Sequence, residues 1–453
     1  MKKFRALFIE TMTVTPHTET GLELAHLLSE LEYEIIYCPL FASSIQQYWT
    51  SPIGGTHSEQ TVIEDWLPYV VRRLPRQAKL EIFSCETPLI PNINTTKILS
   101  EYQFLNKPFG LLVFNFLKEL TKDLFWFTSP QAQQYLVLAS KLLQQSIKSY
   151  LIACALIDQH KPSHMVLFNG RTPSTQPIVW AATEKSIQLI IHERGPNKDK
   201  YELFDDIPGK LAVSREKILK FAMYRAATIA LKNATEFFAR LRNNQPLHWS
   251  SFTENQHKFT HEISQDYVYY RDKVVYFLSS DDEQGSILEE TTSGPLGTQA
   301  ETLVSVANVC TDLGLSLVVR FHPYQAQKIS ELNFYKDLCS TLKVNIIDPS
   351  SSINSLMLGI VARKALVFNS NIAWELMFIG KSVGLLGKSI GSGEDGVLEL
   401  NSISEVAEFI SGPEVPSVSN FPTKYGDFMM ESGYNYKLFQ ATDRSSGYFP
   451  LSC

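Results

Sequence analysis

The chain of 453 residues is 44% hydrophobic, a composition that suits two or three globular domains, each with a full hydrophobic core. The formal net charge of -6 provides no broad basic field, which argues against a nucleic-acid partner. Six scattered cysteines form neither a Cys-x-x-Cys pair nor a cluster with zinc spacing, as expected for a protein of a reducing compartment.

The N-terminal residues predict a buried strand at 4–11 rather than a signal peptide, because Arg5 and Glu10 interrupt the apolar run. No apolar run in the sequence reaches the roughly 18 residues that a membrane-spanning helix needs. We therefore expect a soluble, cytoplasmic protein that is at most peripheral to the inner face of a membrane.

A helical pattern at 22–28 and a strand at 34–38 complete a β-loop-α-β opening. The loop contains His17 and Glu19 and lies at the carboxyl end of the first strand, where open α/β sheets bind ligands. Two interpretations stay open at this point. Either the loop binds a substrate, with Glu19 as a catalytic carboxylate, or Thr18 or Thr20 simply caps the helix.

A second unit follows, in which residues 165–168 and 187–191 predict strands on either side of a helix at about 174–185. Asn169 and Arg171 follow the first of these strands, and Glu193 follows the second. Because parallel strands end at one edge of a sheet, the three side chains are predicted to share one rim. For Glu193, an ordinary surface-loop position is the alternative.

The middle of the chain predicts a helix and then a linker. The helical pattern at 215–242 is rich in lysine and arginine, which could contact anionic lipid but is more typical of a solvated helix face. Polar, irregular residues at 243–272 predict an interdomain connection, and we place the linker at 251–272.

The second half begins with a predicted strand at 273–278 that ends in Ser279 and Ser280, followed by acidic residues at 281–283. Three consecutive acidic side chains point in different directions and are weak metal ligands, so we expect no metal site. Strands at 315–320, 344–348 and 365–368 then alternate with helices, as strands do before the linker. This doubled alternation predicts two α/β domains.

Five residues near these strand ends, Arg320, His322, Ser370, Asn371 and Glu375, have the chemistry to bind an activated phosphate compound. Arg320 carries a fork of N–H donors suited to phosphate, and the imidazole of His322 can donate to a phosphate oxygen or protonate a leaving group. Proline at 323 favours an extended backbone at His322. Asn371, after Ser370, predicts a helix start that attracts anions, and Glu375 could accept from ribose hydroxyls. Each short motif alone is more often an ordinary strand exit or helix cap.

Three segments together resemble the nucleotide-binding half of the GT-B glycosyltransferases. They are Arg320-Phe321-His322-Pro323, Asp348-Pro349-Ser350-Ser351-Ser352, and Asn369-Ser370-Asn371 with Glu375 and Gly380-Lys381. More narrowly, they resemble the bacterial capsule polysaccharide biosynthesis transferases, which include the Kdo transferases. They are more distantly similar to the CDP-glycerol glycerophosphotransferases. The resemblance covers roughly the whole chain in layout but is specific only at these short motifs.

The resemblance implies an α/β protein with the GT-B fold, in which two Rossmann-like domains face each other across a cleft. Residues 1–250 are then expected to bind the acceptor, residues 273–425 to bind a nucleotide sugar, and residues 426–453 to pack back on the N-terminal domain. It also implies that the nucleotide sugar is a substrate and that the enzyme needs neither a metal ion nor a cofactor.

The resemblance also assigns roles to residues. Glu193 matches the family's acidic-x-Gly turn in part, since some relatives have two adjacent carboxylates there and this chain has Glu193-Arg194-Gly195. We predict Glu193, and after it Glu19, as the catalytic carboxylate, together with His322. The predicted donor-binding residues are Arg320, His322, Ser279, Ser280, Ser351, Ser370, Asn371 and Glu375, and the predicted acceptor-binding residues are His17, Glu19, Asn169 and Arg171.

The activity that the resemblance implies is transfer of a sugar, with Kdo as one candidate, from a nucleotide donor to a growing surface polysaccharide or glycolipid. A CMP-sugar is the favoured donor, and contact with the inner membrane or a capsule assembly complex is expected. Two other activities fit the same layout: a CDP-glycerol-type polyol phosphotransferase and a UDP-sugar 2-epimerase. A non-catalytic partner of a capsule complex is the remaining alternative.

Overall fold

The computed structural model describes residues 4–11, 14–40, 66–83, 86, 89–243, 245, 256–259, 264–281, 287, 293–443 and 445–449. Two sheets with parallel centres, one in each half of the chain, carry helices on both faces. This architecture confirms the predicted α/β fold class with two Rossmann-like domains.

The strands are short, as is usual for buried parallel sheets. In chain order they are β1 Arg5–Glu10, β2 Glu34–Pro39, β3 Lys79–Leu80, β4 His164–Phe168, β5 Gln188–Arg194, β6 Lys200–Phe204, β7 Val274–Phe277, β8 Leu317–Arg320, β9 Asn345–Ile347, β10 Lys364–Val367, β11 Val383–Leu385, β12 Leu398–Glu399, β13 Tyr434–Asn435, β14 Gln440–Ala441 and β15 Gly447–Tyr448.

The first sheet has the strand order β13-β6-β5-β4-β1-β2-β3. Strands β5 to β3 of this order are parallel, whereas β6 and β13 form an antiparallel edge. The second sheet is parallel throughout, in the order β12-β11-β10-β7-β8-β9. In each sheet the chain reverses its direction of winding beside the first strand, which is where such sheets bind ligands.

The helices lie on both faces of the sheets. They are α1 His17–Glu30, α2 Thr96–Glu101, α3 Phe109–Thr121, α4 Ala132–His160, α5 Gln176–Glu184, α6 Leu211–Met223, α7 Ala227–Arg242, α8 Gln265–Val268, α9 Gln299–Asp312, α10 Ile329–Thr341, α11 Ser355–Val361, α12 Ile372–Phe378, α13 Ile403–Ser411 and α14 Phe421–Glu431. Residues 66–71 are also helical, and Trp126–Thr128 and Pro323–Gln327 are 3-10 turns. Within the described residues, no helix is both long and apolar enough to cross a membrane.

The central strands are buried on both sides, which is why they are apolar without interruption. In β1, Leu7 and Ile9 join the core beneath α3 and α4, while Ala6 and Phe8 join the core beneath α1. Strand β7 divides its residues between two cores in the same way. This period of two follows from the alternation of side chains along a strand.

The helical region at 211–242 requires a correction to the predicted domain boundary at residue 250. The single helix predicted at 215–242 is two helices, α6 and α7, which are separated at residues 224–226. Phe237 and Phe238 of α7 pack in the core of the second sheet, together with Trp374 and Tyr425. Because their apolar faces are covered by the second half, these helices belong to that half's core. The connection between the halves therefore begins after β6.

The residues after α14 return to the first sheet. Strand β13 pairs antiparallel with β6. The buried carboxylate of Glu23 in α1 then accepts backbone N–H bonds from Lys437 at 2.6 Å, Leu438 at 3.2 Å and Phe439 at 3.1 Å. A carboxylate that satisfies three N–H groups anchors a segment without regular structure. The chain thus crosses between the halves twice.

The halves also meet where the turn after α3 contacts α10 and the preceding 3-10 turn. The rings of Phe125 and Phe334 are 5.4 Å apart, and Lys122 Nζ donates to Gln327 Oε1 at 3.0 Å. Ser330 donates a hydrogen bond to Asp123 in the same place. These contacts hold the two halves against each other across the space between the sheets.

Candidate functional site

Two cavities adjoin each other between the halves. The second-half cavity, of about 490 Å³, is lined mainly by loops of the second sheet, and the first-half cavity, of about 670 Å³, mainly by loops of the first. Both are closed on one side by residues of the connecting segment, α6 and α14. The residues that line both cavities are Phe204, Gly209, Ser214, Phe428 and Met429. The cavities are therefore neighbouring parts of one cleft.

The polar wall of the second-half cavity comes from three adjacent strand ends. Strand β7 lies between β8 and β10, and the residues that follow these three strands converge. Asn369 N donates to Ser279 Oγ at 3.2 Å, which joins the ends of β7 and β10. The wall residues are Ser279, Ser280, Asp281, His322, Asn369, Ser370 and Asn371. The structure thus brings together five of the eight predicted donor-binding residues: Ser279, Ser280, His322, Ser370 and Asn371.

His322 is held as a neutral hydrogen-bond donor. Its Nδ1 accepts the N–H of Tyr324 at 3.3 Å, so the neutral ring carries its hydrogen on Nε2. Burial, and then the neighbouring charge of Arg320, lower the pKa of His322 to about 4. The imidazole of the cavity wall can therefore donate to an anionic oxygen without itself being charged at neutral pH.

Asp281 is an acidic group in a wall otherwise made of amides, hydroxyls and an imidazole. Burial raises the pKa of Asp281 to about 6, although Tyr335 Oη donates to it at 2.6 Å and Gln299 Nε2 at 2.7 Å. Gln299 also accepts the N–H of Ser279 at 2.7 Å. The loop after β7 is thus fixed from behind by α9 and α10.

Arg320 does not line either cavity, which corrects the prediction that it binds a donor phosphate. Its guanidinium donates to Ser355 Oγ at 3.2 Å and to the carbonyl oxygens of Asp348 at 2.6 Å and Ile353 at 3.3 Å. Buried N–H donors need acceptors, and this loop supplies them. The same correction applies to Ser351, which lies outside the cavity wall and whose carbonyl oxygen is 3.5 Å from Arg320.

The start of α12 differs from the predicted capped helix. Ser370 and Asn371 line the second-half cavity, but Asn371 is already helical, with φ -62° and ψ -15°, and its side chain makes no capping bond. Glu375 does not line the cavity, which corrects its predicted contact with ribose. Burial raises the pKa of Glu375 to about 7, although the positive charge of Arg242 acts to lower it.

In the first-half cavity, the predicted rim residues Asn169, Arg171 and Glu193 all line the wall. Asn169 has a left-handed backbone, with φ 63°, which turns its side chain towards the end of β5. Its Nδ2 donates to Glu193 Oε2 at 2.7 Å, and Arg194 N donates to Glu193 Oε1 at 3.0 Å. These two bonds hold the carboxylate of Glu193 in one orientation beside the cavity.

The predicted loop around His17 and Glu19 is instead the first turn of α1, which begins at His17 after Pro16 and has no side-chain cap. Neither Thr18 nor Thr20 is therefore the cap. His17 lines the first-half cavity and lies on the ring of Phe168, with centroids 3.6 Å apart.

Glu19 lies outside both cavity walls, in contrast to its predicted contact with the acceptor. Its Oε1 accepts from Tyr69 at 3.0 Å and from Thr15 at 3.1 Å. Burial raises the pKa of Glu19.

The residues at the boundary of the two cavities were not among those predicted from the sequence. Glu202 of β6 lines the first-half cavity, Lys217 of α6 lines the second-half cavity, and the two form an ion pair. Lys217 Nζ also lies 3.6 Å from the ring centroid of Phe204, which lines both. The spacing of Leu211, Ser214 and Lys217 on one helix face was the available signal, but the sequence does not tell which face meets the cleft.

The described part of the chain contains no group of three or more His, Cys, Asp or Glu side chains that could hold a metal ion. The acidic residues at 282 and 283 lie outside the described residues. The prediction of an enzyme without a metal stays a prediction.

No family model matches the sequence, and no curated protein matches it. Among solved structures, the chain resembles two Thermosulfurimonas dismutans KpsC Kdo transferases. The 2,4 transferase is 11% identical, with a TM-score of 0.36 over 59% of this chain and 88% of that one, and the 2,7 transferase is 15% identical, with a TM-score of 0.35 over 62% and 88%. A Methanocaldococcus jannaschii UDP-GlcNAc 2-epimerase is 11% identical, with a TM-score of 0.27 over 93% and 97%. Likeness at this level carries no argument about activity.

Proposed function

We propose that this chain is a glycosyltransferase that moves a sugar from a nucleotide donor to a growing surface polysaccharide or a glycolipid. A CMP-sugar is the favoured donor, and Kdo is the candidate sugar. The nucleotide would occupy the second-half cavity and the acceptor the first-half cavity. No metal ion or cofactor is assigned a part in the reaction.

The observation that carries this proposal is the contact between the two cavities. One holds neutral hydrogen-bond donors suited to a phosphate, among them His322, and the other holds the oriented carboxylate of Glu193. Five residues line both cavities, so a sugar at the boundary would contact both groups of residues. When two reactants are bound in adjoining sites, a bimolecular reaction becomes effectively unimolecular, which lowers its entropic barrier.

The proposed step uses Glu193 as a general base. The acceptor hydroxyl gives its proton to the Glu193 carboxylate as its oxygen bonds to the anomeric carbon of the donor sugar. The bond between that carbon and the phosphate oxygen breaks, and the nucleoside phosphate leaves with the electron pair. The Nε2–H group of His322 donates to the departing phosphate, where preorganised donors are most effective.

The test is release of the nucleotide from CMP-Kdo, CDP-glycerol and UDP-GlcNAc, measured by mass spectrometry with and without a synthetic Kdo glycolipid as acceptor. The proposal expects CMP from CMP-Kdo only when the acceptor is present. CMP from CDP-glycerol would instead identify a polyol phosphotransferase. Conversion of UDP-GlcNAc to its 2-epimer without acceptor would identify an epimerase, and NMR detects it because the two isomers have the same mass.

A pair of variants tests the role of Glu193. We expect Glu193→Gln to reduce transfer by about 10²–10⁴-fold, the usual contribution of a general base. Glu408→Gln, a matched change at an exposed position of α13, should leave transfer unchanged. Equal activity of the two variants would remove Glu193 from the reaction.

A further inference from the structure

Lys328 is a fully buried lysine directly behind the wall of the second-half cavity. It follows the 3-10 turn that begins after His322, and only 1% of its surface is exposed. Its Nζ donates to Ser280 Oγ, which belongs to the cavity wall, and lies 4.2 Å from the ring centroid of Tyr324. A buried ammonium group is costly unless it offsets other charges.

Those charges come from several elements. Asp281, on the loop after β7, and Glu331, in the first turn of α10, attract the ammonium of Lys328. From the first half, Glu119 of α3 attracts it and Lys122 repels it. Asp281 lines the second-half cavity, and its backbone N–H donates to Glu331 Oε1 at 3.4 Å.

An anion in the second-half cavity therefore needs compensation for nearby negative charge. A phosphate beside Asp281, with Glu331 behind it, would meet two carboxylates of its own sign. The buried cation at Lys328 faces both carboxylates and reaches the wall through Ser280. In a low-dielectric site, such a compensating charge acts more strongly than it would in water.

We propose that Lys328 is a positioning residue for anion binding, because its ammonium offsets Asp281 and Glu331 and fixes Ser280 in the cavity wall. This inference rests on the proposed function in so far as the anion is the phosphate of a nucleotide donor. Lys328 acts through Ser280 and through its charge, without lining the cavity itself.

The protonation of Lys328 gives the inference a pH dependence. Burial lowers the pKa of Lys328 to about 8. The ammonium is present below that pH and is lost as the pH rises through it. Anion affinity should therefore fall between pH 7 and pH 9. Arginine keeps its charge throughout this range, so Lys328→Arg should not show the fall.

The experiment measures binding of CMP and of pyrophosphate to the full chain by calorimetry at pH 7 and pH 9. At pH 7, we expect Lys328→Met to bind CMP about 10- to 100-fold more weakly, the range for loss of one charge-assisted contact. Adding Glu331→Gln to Lys328→Met should raise the CMP affinity again by about tenfold, because one uncompensated carboxylate is removed. Lys343→Met, a matched change at an exposed lysine after α10, should bind as the wild type does.

The recovery in the double variant separates a charge effect from damage to packing, since a second buried substitution would not repair a packing defect. CMP binding by Lys328→Met equal to the wild type would overturn the inference. The inference would also be overturned if the double variant bound CMP no more tightly than Lys328→Met alone. A loss of affinity at pH 9 that Lys328→Arg showed as well would have the same consequence.

The outcomes also separate this inference from the proposed function. If anions bind with the expected dependence on Lys328 but no sugar is transferred, the proposed function fails and the role of Lys328 stands. If sugar is transferred while Lys328→Met binds CMP normally, the proposed function stands and the role of Lys328 fails. Failure of the wild type to bind either anion overturns both.

Discussion

The imidazole of His322 accepts the backbone N–H of Tyr324 at Nδ1, which places the hydrogen of the neutral ring on Nε2. Its low pKa, about 4, means that it donates as a neutral group across the physiological range. The residue therefore acts by directed hydrogen bonding rather than by net charge, and this distinction can be measured.

The expected result for His322→Ala is a roughly tenfold loss of CMP affinity, as for one hydrogen bond to a charged ligand. The ratio of wild-type to variant affinities should stay constant from pH 5.5 to 7.5, because the ring stays neutral throughout. Using the ratio cancels the titration of CMP itself. A ratio that falls as the pH rises through 6.5 would show that a charged imidazole binds the ligand.

Glu375 offers a second prediction, about stability. Its folded-state pKa of about 7 lies above the ordinary value of 4.5, so the native state holds an extra proton between those pH values. Stability should therefore fall as the pH rises through that window. Glu375→Gln, which stays neutral, should raise the melting temperature at pH 8 by on the order of 2 °C and have a smaller effect at pH 5. A change that is equal at both pH values would contradict the assigned titration.

At the scale of elements, the strand ends were predictable and the helix faces were not. Buried apolar runs that end in polar residues placed His322, Ser279, Asn169 and Glu193 correctly at the carboxyl edges of two sheets. Arg320 shares this position in the sequence, yet its long side chain reaches the carbonyl oxygens of a neighbouring loop. Neither the reach of a side chain nor the position of a distant loop follows from local pattern.

The pairing of α6 and α7 with α14 shows the same limit. Asp427 of α14 is buried and accepts two bonds from Arg225 at 2.8 Å each and one from Asn233 at 2.7 Å. These partners lie about 200 positions away in the sequence, with separations of 202 and 194. Hydrophobic periodicity predicted helices in this region but contained no information about which helices meet.

Asp427→Ala should therefore destabilise the second half by about 1–3 kcal/mol, because it removes a buried carboxylate that accepts three hydrogen bonds, two of them from the partly exposed Arg225. The measurement is urea unfolding, in which the midpoint should fall while the slope stays unchanged. Asp337→Ala removes an exposed carboxylate from α10 and is the control. Similar midpoints for both variants would show that the Arg225–Asp427 bonds contribute little.

At the scale of the whole molecule, the arrangement of the halves decides whether the site residues can cooperate. The sequence predicted two domains and a shared cleft, but it placed the boundary too late, because the core that covers α6 and α7 is assembled from distant segments. Residues of the connection, among them Gly209 and Ser214, consequently line both cavities. The predicted nucleotide and acceptor groups thereby become neighbours.

The most direct test of this arrangement is a crystal structure with the nucleotide, among CMP, CDP and UDP, that raises the melting temperature most. We expect the nucleotide in the second-half cavity, with a phosphate oxygen within hydrogen-bonding distance of His322 Nε2 and the position of the missing sugar open towards Glu193. A nucleotide bound on an outer surface, or a phosphate held away from His322 and separated from the first-half cavity, would contradict it.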